Sequence, residues 1–96
     1  MLKRNPADAS AAAEILALKA LAFLAADEAR FGRFLDLTGL TLDEIRNRAG
    51  EPDFLAAVMS HLRGDQTLLL VFAEAEGLDP SEVDRAGRAL AGELPP

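Results

Sequence analysis

The sequence contains no cysteine, tryptophan or tyrosine, and only one histidine among its 96 residues. Without cysteine the chain cannot form disulfides, thiolate metal sites, iron–sulfur clusters or a cysteine nucleophile. Without tryptophan and tyrosine it lacks two of the side chains that most often anchor protein interfaces. These absences exclude several classes of function, and they leave helix-forming aliphatic residues as the main content.

Acidic residues outnumber basic ones, by 16 to 10, which gives a net charge of −6 at pH 7. Of this charge, −5 falls on residues 65–96. The excess of negative charge disfavours binding to nucleic acid and to anionic lipid. Half of the residues are hydrophobic, which is typical of a folded chain. We therefore predict a single domain over residues 1–96, with flexible ends at about 1–7 and 92–96.

A basic pair, Lys3 and Arg4, precedes an apolar stretch over residues 11–26. Glu14 and Lys19 interrupt this stretch, whereas a secretory signal needs an uninterrupted apolar core. The stretch is also shorter than the roughly 20 apolar residues that span a bilayer. We expect a cytoplasmic protein that does not associate with membranes.

Helix caps, prolines and glycines divide the chain into about six short helices, and no segment alternates with period two. The predicted class is therefore all-α. We predict a first helix capped by Asp8 or Ser10 and reaching about Ala26, a second over Glu28–Thr38 that ends at Gly39, a third that starts with a capping box of Thr41 and Glu44 and stops at Gly50, a fourth from Pro52 to Gly64, a fifth capped by Asp65 and ending at Gly77, and a sixth opened by Asp79, Pro80 and Glu82.

The chain resembles itself when its second half is aligned with its first, because caps, helix stops and core residues recur at one constant offset. The pattern predicts two similar three-helix units, residues 10–50 and 51–91. The alternative is that capping chemistry places the same residues in any two helical hairpins. The identical pairs are Asp27 and Asp65, Phe34 and Phe72, Gly39 and Gly77, Leu40 and Leu78, and Glu44 and Glu82.

Two helices carry more apolar surface than one buried face requires. The run Leu68–Ala73 is apolar on every face, so we predict that the fifth helix is central and surrounded by the others. The first helix either packs closely against two neighbours or uses a face to meet another chain, with homodimerisation as one form of that contact. The candidate interface residues are Leu16, Ala20 and Phe23.

Each unit has the spacing of a helix-turn-helix: a small or apolar residue four before a glycine and a branched residue six after it. In a DNA-binding protein the second helix of this motif enters the major groove. Acidic residues open both second helices of this chain, where they would repel phosphates. Nucleic-acid binding is therefore the alternative hypothesis, and its candidate residues are Arg46, Arg85 and Arg88.

The sequence shows no acid–base pair, metal-ligand spacing or glycine-rich phosphate loop. His61 adjoins Ser60, but neighbouring side chains on a helix point about 100° apart and cannot act as a nucleophile and its base. We expect no catalytic residues, no metal and no cofactor. The preferred interpretation is a small acidic, non-enzymatic module that binds another protein.

Three stretches resemble a family of short, all-helical bacterial proteins, mostly alphaproteobacterial, that is classed as a domain of unknown function. They are residues 18–24, residues 33–40 and residues 64–70, the last containing Gly64-Asp65-Gln66. The resemblance covers nearly the whole chain and implies a cytoplasmic bacterial protein. Because the family has no established activity, no functional residue can be assigned through it.

Overall fold

The computed structural model describes the backbone of residues 6–92 and the side chains of residues 11–92. Over this range the chain forms six helices and no strand, which confirms the all-α single domain. The predicted flexible ends, at about 1–7 and 92–96, lie almost entirely outside the described residues. The helices are α1 (Pro6–Ala25), α2 (Glu28–Thr38), α3 (Leu42–Arg48), α4 (Pro52–Arg63), α5 (Gln66–Glu76) and α6 (Pro80–Leu90).

The predicted caps of α2 and α5 are confirmed, and they have the same geometry. The Asp27 carboxylate accepts a hydrogen bond from the Arg30 amide at 3.0 Å, and the Asp65 carboxylate accepts one from the Leu68 amide at 3.1 Å. Each helix then ends at a glycine in the left-handed conformation, with φ of 73° at Gly39 and 69° at Gly77. Only glycine adopts this conformation without strain, which is why both helices stop there.

The starts of the other helices agree with the predictions less completely. The full capping box forms at α6, where the Asp79 amide donates to the Glu82 carboxylate at 2.8 Å. At α3 the Thr41 hydroxyl accepts a hydrogen bond from the Glu44 amide. The Glu44 carboxylate accepts from the same hydroxyl and not from the Thr41 backbone amide, so the box is incomplete. The predicted cap of α1 at Asp8 or Ser10 is wrong. The helix already includes Pro6, because proline suits a first turn and alanine-rich residues follow it.

The centre of the fold is formed by α1, α4 and α6, which pack against one another, while α2 packs on α1 and α5 on α4 and α6. Along α1 the core-facing residues are mostly alanines, which allow close approach. Gly87 serves the same purpose on α6, because an added Cβ would lie 3.3 Å from Met59 Cβ and 2.5 Å from Arg63 Cδ. α4 contributes the largest buried set: Phe54, Leu55, Val58, Met59 and Leu62.

The prediction that α5 is central is wrong. This helix buries Leu68, Leu69, Phe72 and Ala73 on one side, but Leu70 and Val71 on the other side are 44% and 38% exposed. An apolar run need not be surrounded in a small protein, because much of any protein surface is apolar. α4 lies between α1, α5 and α6 instead.

The helix boundaries between the end of α1 and the start of α3 recur in the second half of the chain. They do so at the same offset that aligns Asp27 with Asp65. α1 ends at Ala25 and α4 at Arg63; α2 spans Glu28–Thr38 and α5 spans Gln66–Glu76; α3 starts at Leu42 and α6 at Pro80. The third helices differ in length, with 7 residues in α3 and 11 in α6. The two predicted units are therefore alike in their local boundaries and differ in how they finish.

Candidate functional site

One side of α1 exposes a row of apolar side chains to solvent. Its spacing of four and three residues is that of a heptad seam. Ile15 and Leu18, the two large residues of the row, are 56% and 43% exposed. The opposite side of the helix carries the buried residues Ala13, Ala17, Ala20 and Leu24. We define the outer face of α1 by its exposed apolar residues, which are Ala11, Ile15, Leu18, Ala22 and Ala25.

The face predicted to meet another chain is instead covered within the fold. Ala20 is fully buried, and Leu16 and Phe23 are partly buried against the core. The Phe23 ring contacts Phe72 edge-on, with 5.3 Å between the ring centroids. This outcome corresponds to the alternative of close intramolecular packing. The prediction of Leu16, Ala20 and Phe23 as an exposed interface is wrong because the core-facing and outer sides of α1 are both apolar.

A recess lies where α2, α4 and α5 meet. Its main part has a volume of about 460 Å³, and a smaller part of about 200 Å³ adjoins it and shares four of the lining residues. The turn between α4 and α5, formed by Gly64 and Asp65, makes up one end. The side chains and backbone that line the main part belong to Arg33, Leu37, Ser60, His61, Gly64, Asp65, Gln66 and Thr67.

The charged groups of the recess differ in how far they are already engaged. The Asp65 carboxylate caps α5 through the Leu68 amide. Arg30, in the smaller part, lies 4.0 Å from the Asp27 carboxylate, and its guanidinium lies 4.8 Å from the centre of the Phe23 ring. Arg33 has no ion pair with any of the residues described in the structure. Its guanidinium is therefore the unengaged cation of the recess.

His61 connects the recess to the core. Its ring contacts the Phe34 ring edge-on, with 5.0 Å between the ring centroids. Its Nε2 atom is buried without a hydrogen-bond partner. Burial lowers the pKa of His61, and Arg33 lowers it further, while Asp65 opposes both effects. A buried N–H without an acceptor is rarer than a buried lone pair without a donor. We therefore place the proton of the neutral ring on Nδ1.

The three candidate nucleic-acid residues do not form one basic surface. Arg46 lies on α3 and pairs with Asp43 at 3.3 Å. Arg88 lies on α6 and pairs with Asp84 at 3.8 Å. Arg85 lines a surface depression of about 340 Å³ on α6 together with Arg88 and three other residues, two of them acidic. The structure thus places two of the candidates together on α6 and the third on another helix.

Neither a metal cluster nor a membrane-spanning helix was found in the part of the chain that the structure describes. No group of three or more histidine, aspartate or glutamate side chains there could hold a metal ion. None of the helices described is both long and apolar enough to cross a bilayer.

The sequence does not predict the recess, because the recess draws residues from three helices. The only sequence signal near it is the tripeptide Gly64-Asp65-Gln66.

Comparison with known proteins gives a family and no activity. No curated protein and no solved structure matches the chain. A family model described as a protein of unknown function (DUF3572) matches residues 10–93. This range includes the outer face of α1, the recess and all the helices from α2 to α6. The chain therefore belongs to the DUF3572 family of proteins of unknown function.

Proposed function

We propose that the protein is a non-enzymatic interaction module that pairs with a second copy of itself through the outer face of α1. The observation that carries the proposal is the exposed heptad-spaced row on that face. In a coiled-coil contact, residues with this spacing insert between the side chains of a facing helix. The row on α1 therefore suits a facing helix better than it suits a flat surface or a small ligand.

The outer face is self-complementary in the antiparallel direction. Ala11, Ile15, Leu18 and Ala22 are symmetric about the midpoint between residues 16 and 17. An antiparallel second copy therefore places Ile15 opposite Leu18 at the centre and Ala11 opposite Ala22 further out. Small residues away from the centre allow two helices to approach closely. The four residues span about 16 Å of helix.

The charges at the edges of the outer face do not oppose this contact. Glu14 and Lys19 lie on opposite edges of the helix, and Lys19 is 3.9 Å from Glu76 of its own chain. The apolar area is small, and the chain has no tryptophan or tyrosine to strengthen it. We therefore expect a weak, concentration-dependent dimer.

Sedimentation velocity over a wide range of protein concentration tests this proposal. The wild type should move from monomer to dimer as the concentration rises. Leu18→Glu should keep the chain monomeric, because it places a charge at the centre of each row. Leu42→Glu is the matched control, since Leu42 is 48% exposed on α3, away from the outer face; this variant should dimerise like the wild type.

Two results would contradict the homodimer. One is a wild type that stays monomeric at the highest concentrations. The other is equal loss of dimer in Leu18→Glu and Leu42→Glu, which would mean that the contact lies elsewhere or is non-specific. Circular dichroism of each variant establishes that helicity is retained, so that a loss of dimer is not a loss of fold.

Nucleic-acid binding remains the alternative proposal, and no particular observation favours it. Two of its three arginines are engaged with carboxylates of their own helices. Gel-shift measurements at low salt with Arg46, Arg85 and Arg88 changed to alanine would support it if the wild type bound DNA and the variants did not.

We also propose a cytoplasmic location. It is supported by Glu14 and Lys19, which interrupt the apolar N-terminal stretch, and cell fractionation would test it.

A further inference from the structure

The recess between α2, α4 and α5 is an open cleft with room for a small ligand. Its main part, of about 460 Å³, falls within the range of roughly 300–1,000 Å³ that is usual for small-molecule sites. It combines apolar edges with several polar groups. Leu37 at one edge is 64% exposed, and Val71 in the adjoining part is 38% exposed.

Arg33 provides a charge in this recess that nothing else in the described chain uses. Five other arginines, Arg30, Arg46, Arg48, Arg63 and Arg88, each have a carboxylate within 4.0 Å. Arg33 keeps its N–H donors free for a ligand, as far as the described residues are concerned. A planar guanidinium binds a carboxylate through two parallel hydrogen bonds, which gives both strength and orientation.

The neighbouring polar groups add donors rather than charge. With the proton of His61 on Nδ1, the ring offers an N–H group, and Ser60 and Thr67 offer hydroxyls on the same lining. The one carboxylate of the lining, Asp65, already accepts from the Leu68 amide. A ligand that accepts hydrogen bonds therefore fits these groups better than one that donates them.

The balance of charge distinguishes a carboxylate from a phosphate. The main part of the recess contains one cation, Arg33, and one anion, Asp65, while Arg30 in the smaller part is close to Asp27. A phosphate group carries close to two negative charges. Beside the Asp65 carboxylate, one guanidinium would not compensate this charge. A single negative charge is compatible with one guanidinium.

From this geometry we propose that the recess binds a carboxylate attached to an apolar group, with Arg33 as its counter-ion. The apolar group lies against Leu37 and Val71. This site is separate from the outer face of α1 and does not require the homodimer. The carboxylate can come from a small organic acid or from the end of a peptide, since both present the same group to Arg33.

Nuclear magnetic resonance titration of the full chain tests the site through the amide signals of Gln66 and Thr67. Sodium benzoate should shift them saturably. Benzamide, which has the same ring and no charge, and inorganic phosphate should produce no saturable shift. An N-acetylated tripeptide ending in phenylalanine distinguishes the two sources: whichever of the tripeptide and benzoate binds more tightly identifies the source of the carboxylate.

Arg33→Gln should weaken benzoate binding at least about tenfold, because a charge-assisted pair is lost. Arg85→Gln is the matched control, since Arg85 is also exposed and has no ion pair among the described residues; it should bind benzoate like the wild type. Leu18→Glu should also bind normally, which separates this test from that of the homodimer. The proposal is overturned if no carboxylate gives a saturable shift, if phosphate or benzamide binds as well as benzoate, or if Arg33→Gln binds unchanged.

Discussion

The two halves of the chain, residues 10–50 and 51–91, share their helix boundaries and differ in their packing. Caps and left-handed glycines occur at matched places in the two halves. Yet α6 packs on α1, α4 and α5, whereas α3 makes no comparable set of contacts. The comparison shows that capping chemistry determines where helices begin and end, while the buried side chains determine which helix reaches the centre.

Ring contacts between the halves are exchanged in a symmetric way. Phe23 in the first half contacts Phe72 in the second. The aligned counterparts of these two residues, His61 and Phe34, also contact each other. Each of the two contacts thus joins one ring from the first half to one ring from the second. This exchange supports a structural duplication of the first two helices of each half.

The third helices break the symmetry. α6 contributes Val83 and Gly87 to the buried set, and α3 contributes Ile45. The position equivalent to Gly87 is Ala49, which already lies beyond the end of α3. The close approach that Gly87 permits thus has no counterpart in the first half.

Removal of the two matched phenylalanines tests whether the halves share one core. Phe34 and Phe72 are both fully buried, so Phe34→Ala and Phe72→Ala should each lower the free energy of unfolding by about 3–5 kcal/mol. Urea denaturation followed by circular dichroism measures both. A near-neutral effect of one variant beside a large effect of the other would show that the halves are not equivalent at this position.

The two glycines inside helices should respond in opposite directions to alanine. Gly87→Ala should destabilise by about 1–3 kcal/mol, because the new Cβ would overlap Arg63 and crowd Met59. Gly32→Ala should stabilise by about 0.5–1 kcal/mol, because the added Cβ has no atom within 4 Å apart from its chain neighbours and the backbone of its own helix, and alanine favours a helix. Thermal denaturation of both variants measures the difference, and an equal gain in both would contradict the close packing of α6.

The matched caps should contribute equally to stability. Asp27→Ala and Asp65→Ala each remove one hydrogen bond to a backbone amide of similar length. Each should therefore lower the free energy of unfolding by about 1 kcal/mol. The matching asparagine variants should recover most of this loss, since asparagine also caps helices. If only one of the two alanine variants is less stable than the wild type, the two caps are alike in sequence but differ in their contribution to stability.

His61→Phe copies the residue that the first half has at the same place, and its effect should depend on pH. The pKa of His61 in the folded chain is lowered from its ordinary value of 6.5. The unfolded chain therefore takes up the proton more readily, and wild-type stability falls as the pH drops from 6.5 through the lowered value. The variant should remove this dependence and gain less than about 1 kcal/mol at pH 7.

Denaturation of wild type and His61→Phe at several pH values between neutral and mildly acidic measures this effect. Hydrogen bonds from Ser81 lower the pKa of Asp79 below its ordinary 3.8, so its titration lies in a more acidic range and does not interfere. The same pH dependence in both proteins would mean that other groups cause it.

Local features made most of the fold predictable, and long-range packing accounts for the failures. Asp27, Asp65 and Asp79 act within one turn of their own position, so the sequence around them is sufficient to locate helix starts. The position of α5 depends on which helices cover it, and an apolar run such as Leu68–Ala73 carries no information about that.

The candidate sites were less predictable for the same reason. α1 is apolar on two opposite sides, so its pattern could not identify the side that stays exposed, and Leu16, Ala20 and Phe23 were assigned to the wrong one. Arg33 becomes notable only when it is known that no carboxylate of the described residues lies within ion-pair distance of it. The recess around it is built from three helices, and no short motif records such an arrangement.

Disulfide trapping tests the pairing of α1 most directly, because the native chain has no cysteine to interfere. Equal amounts of Ile15→Cys and Leu18→Cys are mixed and oxidised, with one protein labelled with ¹⁵N so that mass spectrometry separates the products. Random pairing of equal amounts would give mixed dimers in twice the amount of either self-linked dimer, so antiparallel pairing of the outer faces predicts mixed dimers well above this twofold ratio. No cross-linked dimer, or mixed dimers at no more than twice the amount of either self-linked dimer, would contradict it.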